Sequence, residues 1–257
     1  MSHILLARHG QSVSNAIRRF QGSQDVELSE LGARQAEALA RVLQSRPVAA
    51  VYTSPLARAR RTAEIAAAGT NVPVTPVEDL RELCLGEWEG RTVEEIRALP
   101  GDPYAQWVRD PVACLPPGGE PLAEVQARVV RAMDEIARAH PNGQQALVVC
   151  HGGVISAYLA HCLGLPLSSI WRLTVSNGSL TEVRPPRVHS VNNTRHLQGV
   201  VVRGAAEGEP RAELMVRGAA EGEPRAELMV RGAAEGEPRA ESNDIALGYP
   251  TPTPRAP

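Results

Sequence analysis

The residues with the greatest chemical reach lie in two short runs far apart in the chain, Arg8-His9-Gly10 and Cys150-His151-Gly152-Gly153. Each follows an apolar run of strand character, His3 to Ala7 and Ala146 to Cys150. A side chain at the carboxyl end of a buried strand points into the crevice where α/β sheets bind small ligands. At His9 the adjacent Arg8 supplies a permanent cation, which disfavours imidazolium and is expected to keep the ring neutral and nucleophilic. The guanidinium fork of Arg8 matches phosphate oxygens, and Gly10 lets the backbone approach a ligand closely. Taken alone, an Arg-His pair is more often structural than catalytic. Cys150 beside His151 invites a Cys/His nucleophile. A cysteine ending an apolar strand is instead expected to act as a small buried hydrophobe, its side chain alternating away from the ring.

The elements that must position these residues are short buried strands alternating with amphipathic helices. His3 to Ala7, Ala49 to Tyr52 and Ala146 to Cys150 have the length and composition of covered strands. Ala36, Leu39, Ala40 and Leu43 share one face of a helix that Ser29 is placed to cap. Leu122, Val125, Val129, Met133 and Ile136 trace a second stripe, predicting a helix from Leu122 to Ala139 that stops before Pro141-Asn142-Gly143. This alternation predicts an α/β fold, a three-layer α/β/α sandwich on a mostly parallel central sheet.

Composition narrows the function further. Of 257 residues, 43% are apolar, enough for a core. The 27 basic residues, all of them Arg, nearly balance 29 acidic ones, for a net charge of -2. That balance carries no footprint for nucleic acid or an anionic membrane. Aromatics at 3% are too few for platforms that stack single strands. The four cysteines, Cys84, Cys114, Cys150 and Cys162, form no CxxC pair, which excludes a disulfide scaffold and a zinc pattern. No signal peptide begins the chain and no apolar run reaches the roughly 20 residues of a membrane span, so a cytoplasmic setting is expected.

After residue 198 the character changes. The 14-residue unit from Val202 to Met215 recurs unchanged from Val216 to Met229, and a third copy breaks off after Glu241. The unit is shorter than a solenoid repeat and offers too little apolar surface to bury. Residues 199–257 are therefore expected to form a disordered tail, ending in the Pro-rich stretch Tyr249 to Pro254. Its composition names no protein partner, and identical copies are the mark of recent tandem duplication.

Further motifs stand in a fixed order. Gln11-Ser12-Val13-Ser14-Asn15 follows the first run, then Phe20-Gln21-Gly22 and Leu28-Ser29-Glu30-Leu31-Gly32. Thr53-Ser54-Pro55-Leu56-Ala57-Arg58-Ala59 ends the second strand. Leu80-Arg81-Glu82 and Gly86-Glu87-Trp88-Glu89-Gly90 come next, and Asn193-Thr194-Arg195-His196-Leu197 closes the series. With Arg8-His9-Gly10 and Cys150-His151-Gly152-Gly153, these motifs resemble the histidine phosphatase superfamily in its phosphoglycerate-mutase-like branch, over about Ile4 to Leu197.

The resemblance implies a role for each matching residue. His9 matches the nucleophile that accepts the phosphoryl group as phosphohistidine, splitting the transfer into two steps. Arg8 and Arg58 match the pair that binds the phosphoryl oxygens, and His151, followed by Gly152, matches the second histidine of the phosphate pocket. Asn15, Gln21 and Gly22 match positions that touch phosphate or substrate. Glu82 matches the general acid, which protonates the leaving oxygen and then activates water; Glu78, Asp79 and Glu87 are neighbouring carboxylates that could be confused with it. No metal and no cofactor are implied, since two Arg and two His can balance a phosphate.

Phosphatases and mutases of this branch share that set and differ in what takes the phosphoryl group. The route from Glu82 through Gly86-Gly90, a helical pattern at Thr92 to Ala98, and Pro100-Gly101-Asp102-Pro103 is short. It carries few cations, Arg91, Arg97 and Arg109. A less cationic pocket admits water and holds a bisphosphate poorly, which favours a phosphatase acting on a small-molecule phosphomonoester. The alternatives are a cofactor-dependent phosphoglycerate mutase and a catalytically silent phosphate-binding module. The Pro- and Gly-rich stretch from Gly90 to Glu120 is expected to cover the pocket and select the leaving group. Trp88 and Trp107 are expected to pack rather than to bind substrate.

Overall fold

A computed structural model describes residues 2–200, and the repeat tail lies outside the described residues. The first strand, β1, spans His3–Arg8 and is followed by a single helical turn, α1 (Val13–Ala16), and by α2 (Glu30–Ser45). Ser29 caps α2 as expected, its hydroxyl accepting the Gly32 N–H at 3.1 Å. Such a cap is worth about 1 kcal/mol. β2 (Ala50–Thr53), α3 (Ala57–Ala67) and β3 (Val74–Pro76) come next. Two short helices, α4 (Val93–Arg97) and α5 (Pro103–Arg109), occupy the Pro- and Gly-rich stretch. α6 (Leu122–Ala139) begins and ends where the apolar stripe predicted, and β4 (Gln145–Cys150) leads into α7 (Gly152–Leu163). β5 (Leu180–Arg184) and β6 (Arg187–Asn193) complete the sheet.

The six strands are ordered β3-β2-β4-β1-β5-β6. β3, β2, β4 and β1 run parallel, whereas β5 joins β1 and β6 joins β5 antiparallel. The mostly parallel expectation thus holds for the four-stranded part, and an antiparallel edge, read by no sequence signal above, makes the sheet mixed. Along β6 exposed residues alternate with half-buried ones and none is fully covered, so this edge strand has no continuous apolar run to betray it.

Both faces of the sheet are covered, giving the expected three layers. Leu5 and Ala7 of β1, with Val51, Leu147 and Val149, pack on Leu39 and Leu43 of α2 and on Ala59, Ala63 and Ala66 of α3. Ile4 and Leu6, one residue out of phase, join Ala146, Val148 and Cys150 beneath Val125, Val129 and Met133 of α6 and the buried side of α7. A period of two along β1 therefore divides one strand between two cores. The small alanines of α3 let that helix lie close to the sheet, which brings Arg58 against the strand ends.

Candidate active site

Parallel pairing places three strand ends side by side. Arg8 is in register with Cys150, and Thr53 with Val149, so the residues just beyond, His9, His151 and Ser54, emerge together. Main-chain bonds continue the ladder past the strands: His9 N–H donates to the Cys150 carbonyl at 3.0 Å and Ser54 N–H to that of Val149 at 2.9 Å. The two imidazoles meet edge to face with centroids 5.1 Å apart. His9 is 2% exposed and His151 fully buried.

Hydrogen bonds set the His9 tautomer. Nδ1 lies 2.6 Å from the Gly10 carbonyl, which can only accept, so Nδ1 carries the proton and the Nε2 lone pair is left for an electrophile. Burial holds the His9 pKa well below its ordinary value, reinforced by the charges of Arg58 and Arg8. His151 is lowered in the same way, first by burial and then by Arg58. Its Nε2 lies 2.7 Å from the Ser54 hydroxyl, and its Nδ1 has no hydrogen-bond partner among the described residues.

Arg58, on the first turn of α3, is wholly buried. Its Nη atoms donate to the carbonyls of Gly22 and Gln24, each at 2.7 Å. Burial lowers its pKa to about 10, with the Glu82 charge opposing that shift, so it stays cationic at neutral pH. Arg8 bonds the Val175 carbonyl through Nη1. The Nε atoms of both arginines and Oε1 of Gln21 are buried without partners among the described residues. Buried donors of this kind are rare unless something else satisfies them. Here two of them, the guanidinium Nε groups, belong to residues whose charges act on His9.

Glu82 is partly buried, with Oε1 accepting from the Leu83 N–H at 3.0 Å and Oε2 from Gly153 at 3.3 Å. Its charge acts on both Arg8 and Arg58. Gly153 leaves room for it: a Cβ there would lie 2.3 Å from the Leu83 side chain and 2.7 Å from Glu82 Oε1, so a larger residue would displace one of these two side chains. A Cβ on Gly152 would stand 3.4 Å from the Arg8 guanidinium. Asn15 sits on α1, its Oδ1 accepting from the Ser12 N–H and from Asn177 Nδ2, each at 3.2 Å. Gly22 takes a left-handed φ of 50°.

Strand ends and the N-termini of α3 and α7 thus bring Arg8, His9, Arg58, His151 and Gly152 together. Gly22 joins through its bond to Arg58, Glu82 through Gly153 and Asn15 through Asn177, whereas no side-chain hydrogen bond ties Gln21 to them among the described residues. Several that shape it were not foreseen. Ser54 orients His151, and it stood unassigned in a motif at a strand end. Asp25 accepts the Ala57 N–H at 2.6 Å and places its charge near Arg58. Asn177 donates to the His9 carbonyl at 3.2 Å from a turn 168 residues away, a contact with no local signal. Cys150 is buried in the core, and desolvation raises its thiol pKa, as expected for a hydrophobe rather than a nucleophile. Trp88 and Trp107 are buried and pack with Phe20, as expected. Phe20 adjoins Gln21 and is tied by main-chain bonds to Gly90 and Arg91, which joins the loop 20–24 to the stretch beyond Gly90.

Two neutral imidazoles, two buried guanidiniums and one carboxylate at the strand ends of an α/β sandwich define an enzyme of phosphate-ester chemistry. The chain belongs to the histidine phosphatase superfamily (branch 1), whose model matches residues 4–193. It is 34% identical over 201 residues to phosphoserine phosphatase 1 of Hydrogenobacter thermophilus, covering 77% of this chain and 95% of that one. A mycobacterial glucosyl-3-phosphoglycerate phosphatase, solved in complex with VO3, superposes with a TM-score of 0.69 at 34% identity, covering 74% and 98%. A Yersinia enterocolitica protein named "Probable phosphoglycerate mutase GpmB" is 34% identical over 183 residues, 71% of this chain and 85% of that one. The fold, the family and these relatives identify the chain as a phosphoric monoester hydrolase. No helix among the described residues is long and apolar enough to cross a membrane.

Proposed function

We propose that the chain hydrolyses a small polar phosphomonoester, of the sugar, nucleoside or glycerate phosphate kind, in two steps at His9, in a cytoplasmic setting. In the first step Nε2 of His9 attacks phosphorus, the bond to the leaving oxygen breaks, and Glu82 gives that oxygen its proton. In the second step the Glu82 carboxylate takes a proton from water, the resulting oxygen nucleophile attacks phosphorus, and the N–P bond breaks to release phosphate. Arg8, Arg58 and His151 Nδ1 stabilise the charge on the transferring group, as phosphoryl transfer requires. Asn15, Gln21, Gly22 and Gly152 line the approach to it.

The observation that carries this reading is the His9 Nδ1 bond to Gly10, which leaves Nε2 as a lone pair on a ring within reach of the Arg58 and Arg8 charges. The relatives named for phosphoserine and glucosyl-3-phosphoglycerate support a phosphomonoester of that size. The mutase-named relative favours a second reading, transfer to a substrate hydroxyl. Against it, Arg97 of the short segment is engaged over the Tyr104 ring at 5.0 Å rather than held free for a second phosphate.

The test is phosphate release from a panel of monoesters without added metal, alongside 3-phosphoglycerate with bisphosphoglycerate. Release that falls by a factor of about 10⁴ or more in His9→Ala, with a cooperative melt retained, is the expected result. Persistent hydrolysis in that variant removes His9 as nucleophile, and isomerisation without release makes the enzyme a mutase.

A further inference from the structure

We infer that Arg128 and Glu120 are a positioning pair that aims Glu82 at the leaving oxygen, an inference that rests on the general-acid role proposed for Glu82. Arg128 lies on the buried side of α6, in line with Val125 and Val129, where the apolar stripe gives no reason for a cation. Its Nη1 donates to the carbonyls of Asp79 and Arg81, each at 2.7 Å. Its Nε and Nη2 donate to the two carboxylate oxygens of Glu120, at 2.8 and 3.0 Å. Glu120 then reaches the far side of Glu82. Its Oε2 accepts from the Cys84 N–H at 3.4 Å, and its own N–H donates to the Cys84 carbonyl at 2.9 Å. The pair grips the chain at residues 79 and 81 on one side and at 84 on the other, with Glu82 between.

The segment needs such a grip. Apart from two single turns, Glu78–Leu80 and Gly86–Trp88, the backbone around Glu82 has no helix or strand to hold it. Its inward carbonyls would be buried without donors, which an apolar residue at position 128 could not remedy. A buried ion pair is weak grounds for stability, because an apolar pair of similar volume often serves as well. What the fork adds here is geometry: one end of the segment 81–84 is bonded to the guanidinium and the other to the carboxylate residue that the guanidinium holds. Arg128 and Glu120 make no hydrogen bond to a phosphate-binding residue; the Arg128 charge does act on His151, and Arg128→Lys, which keeps that charge, isolates the effect that passes through Glu82.

Leaving-group dependence separates positioning from mere folding. A p-nitrophenolate departs without a proton, whereas an alkoxide needs one, so only alkyl esters depend on a well-aimed acid. kcat/KM would be measured for p-nitrophenyl phosphate and for the best alkyl monoester of the panel, per molecule of cooperatively melting protein. The variants are Glu120→Gln, which keeps the shape but cannot accept at both oxygens, Arg128→Lys, which keeps the charge but loses the fork, and Glu82→Gln. In Glu120→Gln the alkyl ester should lose at least about 10-fold more than the p-nitrophenyl ester. Arg128→Lys should split the two substrates in the same sense, and Glu82→Gln should split them further. Parallel losses in both Glu120→Gln and Arg128→Lys, with a split in Glu82→Gln, overturn the positioning role and leave the general acid standing. Parallel losses in Glu82→Gln overturn the general acid itself.

Discussion

His9 and His151 leave the ends of central strands, His9 tied by its N–H to the Cys150 carbonyl and His151 by its ring to Ser54, whose own N–H continues the ladder, whereas Glu82 and the aromatic residues beyond it stand on turns and on helices of five and seven residues. The first region is stiffened by the ladder itself; the second is held by side chains, the Arg128–Glu120 pair and the packing of Phe20, Trp88, Tyr104 and Trp107. The phosphoryl group is common to all monoesters, and its cradle sits on the part of the fold least free to vary. The leaving group differs between substrates, and on the proposed reading the region that selects it is the second, where sequence can change without unpairing a strand.

If that division is right, damage to the cradle should affect every substrate alike. Arg58→Lys keeps the charge but loses the fork that spans the Gly22 and Gln24 carbonyls. It should lower kcat/KM by about 10² to 10³ for all esters in the panel. A loss confined to one ester would break the comparison.

Damage to the second region should do the reverse. Trp107→Ala opens a buried contact with Trp88, Phe20 and Trp171, where ring centroids come within 4.5 Å, and should cost about 3–5 kcal/mol of stability in urea unfolding. Among molecules that remain folded, the ranking of esters should change while inhibition by inorganic phosphate stays within about 3-fold. A weaker phosphate inhibition of 10-fold would show that the two regions are not separable.

Acid should strike the cradle first. Burial and the two guanidiniums hold His9 and His151 neutral in the fold, so their folded pKa values lie below the unfolded value near 6.5. On acidification the unfolded chain takes up protons before the native one does. Stability should therefore be flat above about pH 7 and fall below about pH 6.5, by up to about 1.4 kcal/mol per pH unit for each histidine. The half-buried His196, lowered chiefly by burial, acts in the same direction. His151→Asn should reduce that slope, and a urea midpoint equal at pH 7 and 5.5 in the unaltered protein would contradict it.

The smallest effect is expected outside both regions. Removing residues 203–257 should change turnover per folded molecule by less than about 2-fold, since their repeat has the composition of a chain that buries nothing. A larger loss at equal folding would assign the repeats a part in catalysis.

The same division governs what could be read from sequence. β1, β2, β4, α2 and α6 announce themselves because a single local period decides their burial. Arg8, His9 and His151 follow from their place at strand ends. β5 and β6 were not legible: the edge strand alternates exposed with half-buried residues, and Pro185-Pro186 interrupts the run between them. Ser54, Asn177, Asp25 and the Arg128–Glu120 pair act through contacts made only once distant segments are packed, so no spacing within one segment encodes them. Arg128 in an apolar stripe was the nearest thing to a signal, a charge where the helical period asks for a hydrophobe.

Gly10 and Gly32 cross so closely that a Cβ on the first would lie 2.3 Å from the carbonyl oxygen of the second, and a Cβ on the second 2.0 Å from that of Gln11. The clash is with main chain on both sides, so no repacking of side chains relieves it. For anyone diversifying this enzyme toward new substrates, the exposed positions between Gly90 and Glu120 can be randomised, with the buried Ile96 and Trp107 and the positioning residue Glu120 held fixed. A library that touches codon 10 or 32 spends those members on chains that cannot close the crossing beneath His9.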